Sequence, residues 1–69
     1  MLKFENHDNG RYYYLYVNRD LLNDLVLTTI RGGQHHRRVH HFGFNSKDAI
    51  IKEIDRITKV RLKHGYRMV

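Results

Sequence analysis

The stretch Leu25–Phe44, LVLTTIRGGQHHRRVHHFGF, sets the architecture of the chain because it has the pattern of two β-strands joined by a turn. Its first part, Leu25–Ile30, has the aliphatic and β-branched composition of a buried strand. Arg31–Gly33 (RGG) predicts a tight hairpin in which glycine would supply positive φ angles. From about Gln34 to Phe44 the chain returns antiparallel, and neither face of this stretch is apolar enough for full burial. We therefore expect an outer or strongly twisted strand here.

No Asp or Glu occurs between Leu25 and Lys47. The segment instead carries three arginines, one lysine and four histidines: Arg31, Arg37, Arg38, Lys47, His35, His36, His40 and His41. Over the whole chain, 13 Lys and Arg residues stand against 7 Asp and Glu residues, for a net charge of +6 at pH 7. A hairpin with one sign of charge is poorly suited to a hydrophobic interface and well suited to phosphate.

We predict a nucleic-acid interface on this hairpin, made mostly of phosphate contacts and therefore largely independent of base sequence. Its predicted residues are Arg31, Gln34, His35, His36, Arg37, Arg38, His40 and Arg61. Arg37 and Arg38 point to opposite faces of the strand, so a single groove cannot use both equally. A basic face that is merely solvated is the alternative interpretation of the same charges.

The N-terminal part of the chain predicts two more strands. Aromatic and β-branched residues dominate Arg11–Val17, which follows a turn signal at Asn9-Gly10. Tyr13, Leu15 and Val17 would meet the core, with Tyr12, Tyr14 and Tyr16 partly exposed on the other face. Leu2–Glu5 predicts a short edge strand. In the polar connection 18–24, we expect Leu21 and Leu22 to fold back as small anchors.

The C-terminal part predicts one helix. Asn45 or Ser46 is a suitable N-cap, and Gly65 is a suitable C-terminal stop. One apolar stripe at helical spacing is formed by Ile50, Ile54 and Ile57. Arg61 continues this stripe, so either its stem lies along apolar surface with the charge at the rim, or the helix end lifts off the sheet. At the rim, Arg61 would join the basic surface.

These elements predict an α+β fold: an antiparallel β-sheet of about four strands with one C-terminal α-helix packed across one face. We interpret residues 1–69 as a single domain with one small core, because so short a chain buries only about 60% of the surface that its unfolded form exposes. The chain contains no cysteine, no signal-peptide pattern at its start and no apolar run of membrane-spanning length. A cytoplasmic protein that does not enter a membrane is the resulting expectation.

Three other chemical interpretations are open for residues of this chain. The row Tyr12, Tyr14 and Tyr16 could stack on bases, but such a row more often packs across strands. The histidines lack a chelating pair two residues apart and any neighbouring carboxylate or cysteine, so we predict no metal and no cofactor. No catalytic triad, Walker loop or acid pair lies in the basic segment, and we predict that the protein is not an enzyme.

The chain resembles the WGR domain, a module of poly(ADP-ribose) polymerases and of small bacterial proteins, over about residues 11–66. The resemblance rests on a shared order of short motifs: Tyr12–Val17, Asp20–Asp24 before Val26-Leu27, Arg31–Gln34, Ser46 followed by Ala49, and Lys63–Tyr66 (KHGY). It implies an antiparallel sheet with a helix across it and binding of nucleic acid, in the polymerases at DNA breaks. Arg31–Gly33 keeps only the glycine of the Trp-Gly-Arg signature, so the roles of that Trp and Arg do not carry over, and we assign Arg31 and Gln34 as substitutes.

The sequence therefore predicts a non-catalytic, WGR-like, nucleic-acid-binding module with DNA favoured over RNA. The alternative is a protein-interaction module that docks on a partner or self-associates through its edge strand and tyrosines. A metal-responsive protein is a third, weaker hypothesis.

Overall fold

A computed structural model describes all 69 residues, Met1–Val69. The elements follow the order β1 (Leu2–Asn6), β2 (Arg11–Arg19), β3 (Leu25–Gly32), β4 (Arg37–Phe44), α1 (Lys47–Lys63) and β5 (Arg67–Met68). All strand pairs are antiparallel, and the sheet order is β4-β3-β2-β1-β5. With α1 packed against one face, the predicted α+β architecture is confirmed, and the short β5 adds a fifth strand to the four expected.

The core is one small cluster between α1 and the sheet. Its five buried hydrophobic side chains are Phe4, Leu15, Leu27, Ile50 and Ile57. The first three come from the three central strands, and the two isoleucines are the buried members of the predicted helix stripe. Because successive strand residues alternate between faces, this cluster identifies the face of the sheet that α1 covers, which we call the helix face. The other side of the sheet is the open face.

Both ends of α1 are fixed to the sheet. Ser46 caps the N-terminus, since its Oγ accepts a hydrogen bond from the Ala49 N–H at 3.2 Å, only two residues after β4 ends. At the C-terminus, the predicted stop Gly65 has a positive φ of 85°, and the Asn6 side-chain amide of β1 donates to the His64 carbonyl at 3.3 Å. The helix therefore begins beside one edge strand, β4, and ends beside β1, crossing the sheet obliquely.

An oblique helix cannot cover the whole face, and the corner formed by β4 and the end of β3 is left bare. Every residue from Gln34 to Gly43 is exposed to solvent, although this run includes most of β4. The prediction of an outer strand with neither face buried is confirmed. The basic segment thus projects into water from both sides of the sheet.

The hairpin differs from the prediction in its position. Strand β3 continues through Gly32, and the tip of the turn lies at Gln34 and His35. The Gly33 N–H donates to the His36 carbonyl at 3.0 Å, which closes the turn. The expectation of positive φ at Gly32 and Gly33 is wrong, because only Gly10 and Gly65 among the glycines have positive φ. Strand β4 correspondingly starts at Arg37, not at Gln34.

The expectation that Leu21 and Leu22 anchor the 18–24 connection is also wrong, since they are 104% and 82% exposed. The turn holds its shape through polar contacts instead. The Asp20 carboxylate accepts from the backbone N–H groups of Leu22 and Asp24, each at 2.9 Å, and Arg19 donates to the Asn23 carbonyl. Once these backbone groups are satisfied, the turn needs no apolar anchor.

The prediction that Leu2–Glu5 is an edge strand is wrong in part, because β1 lies between β2 and the short β5. Phe4 and Glu5 of β1 pair with Met68 and Arg67 of β5, which follows the helix. The one helix of the protein is neither long nor apolar enough to cross a membrane.

The core assignment predicts a sharp difference between two leucines. Leu27→Ala should lower the free energy of unfolding by about 2–5 kcal/mol, because it leaves a cavity at the centre of a minimal core. Leu22→Ala removes the same atoms from water-exposed positions and should change that free energy by less than about 0.5 kcal/mol. Urea unfolding followed by circular dichroism measures both. Equal losses for the two variants would show that Leu22 is buried after all.

Candidate nucleic-acid interface

The bare corner borders a cleft that lies between the β3–β4 hairpin, the start of β2 and the C-terminal end of α1. Its volume is about 280 Å³. The residues that line it are Arg11, Tyr12, Tyr13, Arg31, Gly32, Gly33, His36, Arg38, Arg61 and Tyr66. Four arginines from four different elements thus face one space, which we call the arginine cleft.

Sheet register places two of these arginines side by side. Arg31 of β3 lies directly opposite Arg38 of β4, and on its other side it is opposite Tyr13 of β2. Tyr13 is also opposite the buried Phe4, so the whole row lies on the helix face. Directly opposed like charges destabilise a sheet. The fold therefore brings Arg31 and Arg38 together against an electrostatic cost.

Arg11 enters the cleft from the first position of β2. A Cβ built on Gly33 would lie 3.6 Å from the Arg11 Cγ, so the stem of Arg11 runs beside the hairpin turn. Arg11 was not among the predicted site residues. Its position depends on the antiparallel pairing of β2 with β3, which places the start of one strand beside the end of the other.

Arg61 is held by aromatic rings at the end of α1. Its guanidinium carbon lies 4.7 Å from the centre of the Tyr13 ring and 5.2 Å from that of Tyr66. Such cation–π contacts contribute about 0.5–2 kcal/mol each, depending on desolvation. Of the two alternatives for this residue, the structure shows the first: the helix end stays on the sheet and the charge sits at the rim. The Nε of Arg61 is buried and has no hydrogen-bond partner.

No carboxylate lines the arginine cleft. The three ion pairs of the protein lie elsewhere, as His7–Glu5, Arg56–Glu53 and Lys59–Asp55. Arg56, outside the cleft, does have a carboxylate partner: its hydrogen bond to Glu53 raises the pKa of the Arg56 guanidinium. The cleft arginines have no such partner, so their charge is available to an anion from outside.

Asn6 fixes two of the segments that supply the cleft. Its amide holds the His64 carbonyl at the end of α1, while its Oδ1 accepts from the Asp8 N–H at 3.0 Å. Its own carbonyl accepts from the Gly10 N–H, which closes the β1–β2 turn immediately before Arg11. Asn6 is one of three buried polar residues. Burial is tolerated because these bonds satisfy the side chain.

Gly32 is required for steric reasons. A Cβ at this position would overlap the His36 carbonyl oxygen and lie 2.8 Å from the Tyr12 hydroxyl. The absent side chain lets the Tyr12 ring and the turn backbone close over the strand. The glycine that the sequence singled out for its conformational freedom is thus needed for close approach.

The structure separates the predicted site residues into two sets. Those that line the cleft are Arg31, His36, Arg38 and Arg61. The others lie around it and are exposed: Gln34, His35, Arg37 and His40. Arg37 is opposite Gly32 and therefore on the open face, as the alternation of the strand predicted. His40 is on the helix face, where its ring stacks on Phe42 at a centroid distance of 6.1 Å.

Two of the three tyrosines in the open-face row, Tyr12 and Tyr14, pack against each other. The ring centroids of Tyr12 and Tyr14 are 5.0 Å apart, and Lys3 lies over the Tyr14 ring at 5.5 Å. The Tyr14 hydroxyl donates to the Glu5 carboxylate at 3.3 Å. Burial and this carboxylate raise the pKa of the Tyr14 phenol. These contacts favour the packing interpretation over base stacking for Tyr12 and Tyr14.

The histidines are distributed around the hairpin and converge on no common point. His41 Nδ1 is hydrogen-bonded to the Thr28 hydroxyl at 2.9 Å on the open face, whereas His40 is on the helix face and His35 is at the tip. No group of three or more His, Cys, Asp or Glu side chains has an arrangement that would hold a metal ion.

Comparison of the chain with protein-family models finds no match, and comparisons with curated proteins and with solved structures find none either. The resemblance to the WGR domain therefore stays a prediction from the motifs.

Two glycine substitutions test the steric role of Gly32. Gly32→Ala should lower the free energy of unfolding by about 1–3 kcal/mol, because the Cβ forces the turn and Tyr12 apart. Gly43→Ala is the matched control in the neighbouring strand, where a Cβ would meet nothing within 4 Å. It should be neutral or stabilise by about 0.4–1 kcal/mol. Urea unfolding of the two variants measures the difference in the free energy of unfolding. If Gly32→Ala is as stable as Gly43→Ala, the Tyr12 ring and the turn backbone do not pack closely over Gly32.

The opposed arginines predict a variant that is more stable than the natural chain. Arg38→Glu converts a like-charge pair into an attractive one with Arg31 and should raise the free energy of unfolding by about 0.2–1 kcal/mol at low salt. Arg37→Glu has the same net charge but faces Gly32, so it is the control and should gain less. Thermal or urea unfolding at low and high salt compares them. Loss of stability in Arg38→Glu relative to Arg37→Glu would show that the two arginines do not repel.

Proposed function

We propose that the protein is a non-catalytic nucleic-acid-binding module, WGR-like in kind, that contacts DNA phosphates through the arginine cleft. The observation that carries this proposal is the convergence of Arg11, Arg31, Arg38 and Arg61 on one cleft with no carboxylate and no ion pair among them. Four unneutralised guanidinium groups in one place repel one another. An anion that binds among them would offset this electrostatic cost.

Guanidinium chemistry favours phosphate as that anion. The planar fork of arginine donates two parallel hydrogen bonds to phosphate oxygens, and arginine stays charged at any physiological pH. Arg61 is already oriented by Tyr13 and Tyr66, so less side-chain entropy is lost when it binds. Such contacts position a nucleic acid without reading its bases.

The surroundings of the cleft favour a polymer over a small phosphate compound. Basic side chains continue beyond the cleft onto the exposed strand β4 and the hairpin tip, at His35, Arg37 and His40. A single phosphate could occupy the cleft but could not reach these groups. A chain of phosphates contacts several of them at once.

A protein-interaction module is the second candidate, and one observation favours it. Leu21 and Leu22 are almost fully exposed on a turn whose backbone is held by Asp20. Two ordered, exposed leucines are a natural contact for an apolar surface. Self-association through the free edge of β4 is less favourable, because pairing of two β4 strands would bring arginines of both copies together.

Binding to a short DNA duplex tests the proposed function. Fluorescence anisotropy should show an affinity that falls roughly 10²-fold between about 50 and 200 mM salt, as expected when four arginines each neutralise one phosphate. Arg11→Ala and Arg31→Ala should each weaken binding to every sequence alike and reduce the salt slope by about one. Lys52→Ala removes one exposed, unpaired charge from α1, outside the cleft, and should have little effect.

Absence of binding at about 50 mM salt would refute the proposal, because screening is weak there. A stable complex with a protein that is insensitive to salt and nuclease, and is lost in Leu21→Ser with Leu22→Ser, would favour the second candidate instead.

A further inference from the structure

The two ends of the central strands carry charged groups of opposite sign. The arginine cleft lies where Tyr12 of β2 pairs with Gly32 of β3. The β2–β3 turn, residues 20–24, joins the opposite ends of the same two strands, beyond the pair Arg19 and Leu25. The cleft has four arginines and no carboxylate, whereas the turn has two carboxylates and two leucines.

The carboxylates of the turn have no cationic partner within the chain. Asp20 and Asp24 contribute to none of the three ion pairs of the protein. Arg19, at the base of the turn, donates to the Asn23 carbonyl and not to either carboxylate. Because Asp20 holds the turn through backbone N–H groups, both negative charges are carried on an ordered, projecting loop.

The turn and the arginine cleft complement each other in chemistry. Carboxylates accept paired, charge-assisted hydrogen bonds from guanidinium groups. Leu21 and Leu22 are almost fully exposed beside the carboxylates. The half-buried rings of Tyr12, Tyr13 and Tyr66 form the apolar part of the cleft lining. The turn therefore offers the cleft both an anion and an apolar contact.

The turn cannot reach the cleft of its own chain. Strand β3 has 8 residues and separates the two by about 23 Å at the usual rise per residue. Only the turn of another copy can enter the cleft. The net charge of +6 disfavours association in arbitrary orientations, but a head-to-tail orientation places the carboxylates of one copy beside the arginines of the next.

We propose that the arginine cleft also receives the β2–β3 turn of a second copy of this chain. Asp20 and Asp24 pair with the cleft arginines, and Leu21 and Leu22 contact the tyrosine rings. The contact is heterologous, so each bound copy keeps a free turn or a free cleft and association continues head to tail. This contact does not depend on DNA binding, but it uses the same cleft, so the turn and DNA phosphates compete for it.

Sedimentation of the natural chain tests whether the contact forms. A contact made by one turn buries little surface and is transient, so the protein is measured up to about 1 mM. At about 50 mM salt the mean mass should rise with concentration past that of a dimer, and at about 500 mM salt it should fall because the charges are screened.

Two double variants and their mixture test where the contact lies. Leu21→Ser with Leu22→Ser alters the turn, and Arg31→Ala with Arg38→Ala alters the cleft. Each should stay monomeric alone, the second even though loss of two positive charges reduces repulsion between copies. Their equimolar mixture should form a 1:1 dimer and stop there, because one partner has the only intact cleft and the other the only intact turn. Ile51→Ser, an exposed position of α1, is the control and should associate like the natural chain.

The outcomes separate this contact from the proposed function. A natural chain that is monomeric at low salt overturns the head-to-tail contact, as does a mixture of the double variants that stays monomeric. Association that persists in either double variant, shown by circular dichroism to be folded, also overturns it. If the chain self-associates without binding duplex DNA, only the proposed function falls. If it binds DNA but stays monomeric, only the head-to-tail contact falls.

Discussion

The oblique seating of α1 on the sheet is the constraint on which the other features depend. Ile50 and Ile57 have only one apolar surface to cover, the cluster of Phe4, Leu15 and Leu27. The N-cap Ser46 lies two residues after the end of β4, and the carbonyl of the C-cap residue His64 is held beside β1 by Asn6. A straight helix between these two points covers one diagonal of the sheet. The corner that it leaves bare is the one where the arginines converge.

In this arrangement a small core must stabilise a fold that also carries an unneutralised cluster of arginines. A chain of 69 residues has a small core, so domains of this size are marginally stable. Opposing Arg31 to Arg38 lowers that margin further, and no carboxylate in the cleft compensates. Stabilising substitutions at such positions are easy to imagine and commonly cost function. Four unpaired arginines at one point are therefore easier to explain by the proposed binding of an anion than by a structural role.

The helix and strands are easier to predict from the sequence than the turns and the contacts between strands. Helix α1 was predictable because its cap, stripe and stop are local signals at Ser46, Ile50–Ile57 and Gly65. The hairpin was misplaced because Gly32 has two possible roles, and only the position of Tyr12 across the sheet distinguishes close approach from positive φ. Arg11 was missed for a related reason. It is twenty residues from Arg31 in sequence, and only the register of β2 against β3 brings them together.

Nuclear magnetic resonance of the arginine Nε–H groups, titrated with duplex DNA at constant ionic strength, would show where the anion binds. The Arg61 signal should shift and saturate, because its Nε is buried at the cleft without a partner, and the signals of Arg11, Arg31 and Arg38 should follow the same curve. Arg19 and Arg56 have partners within the protein and should not move. Uniform small shifts of all arginines, without saturation, would mean that the cleft holds no phosphate and that its charges act only as a diffuse positive field.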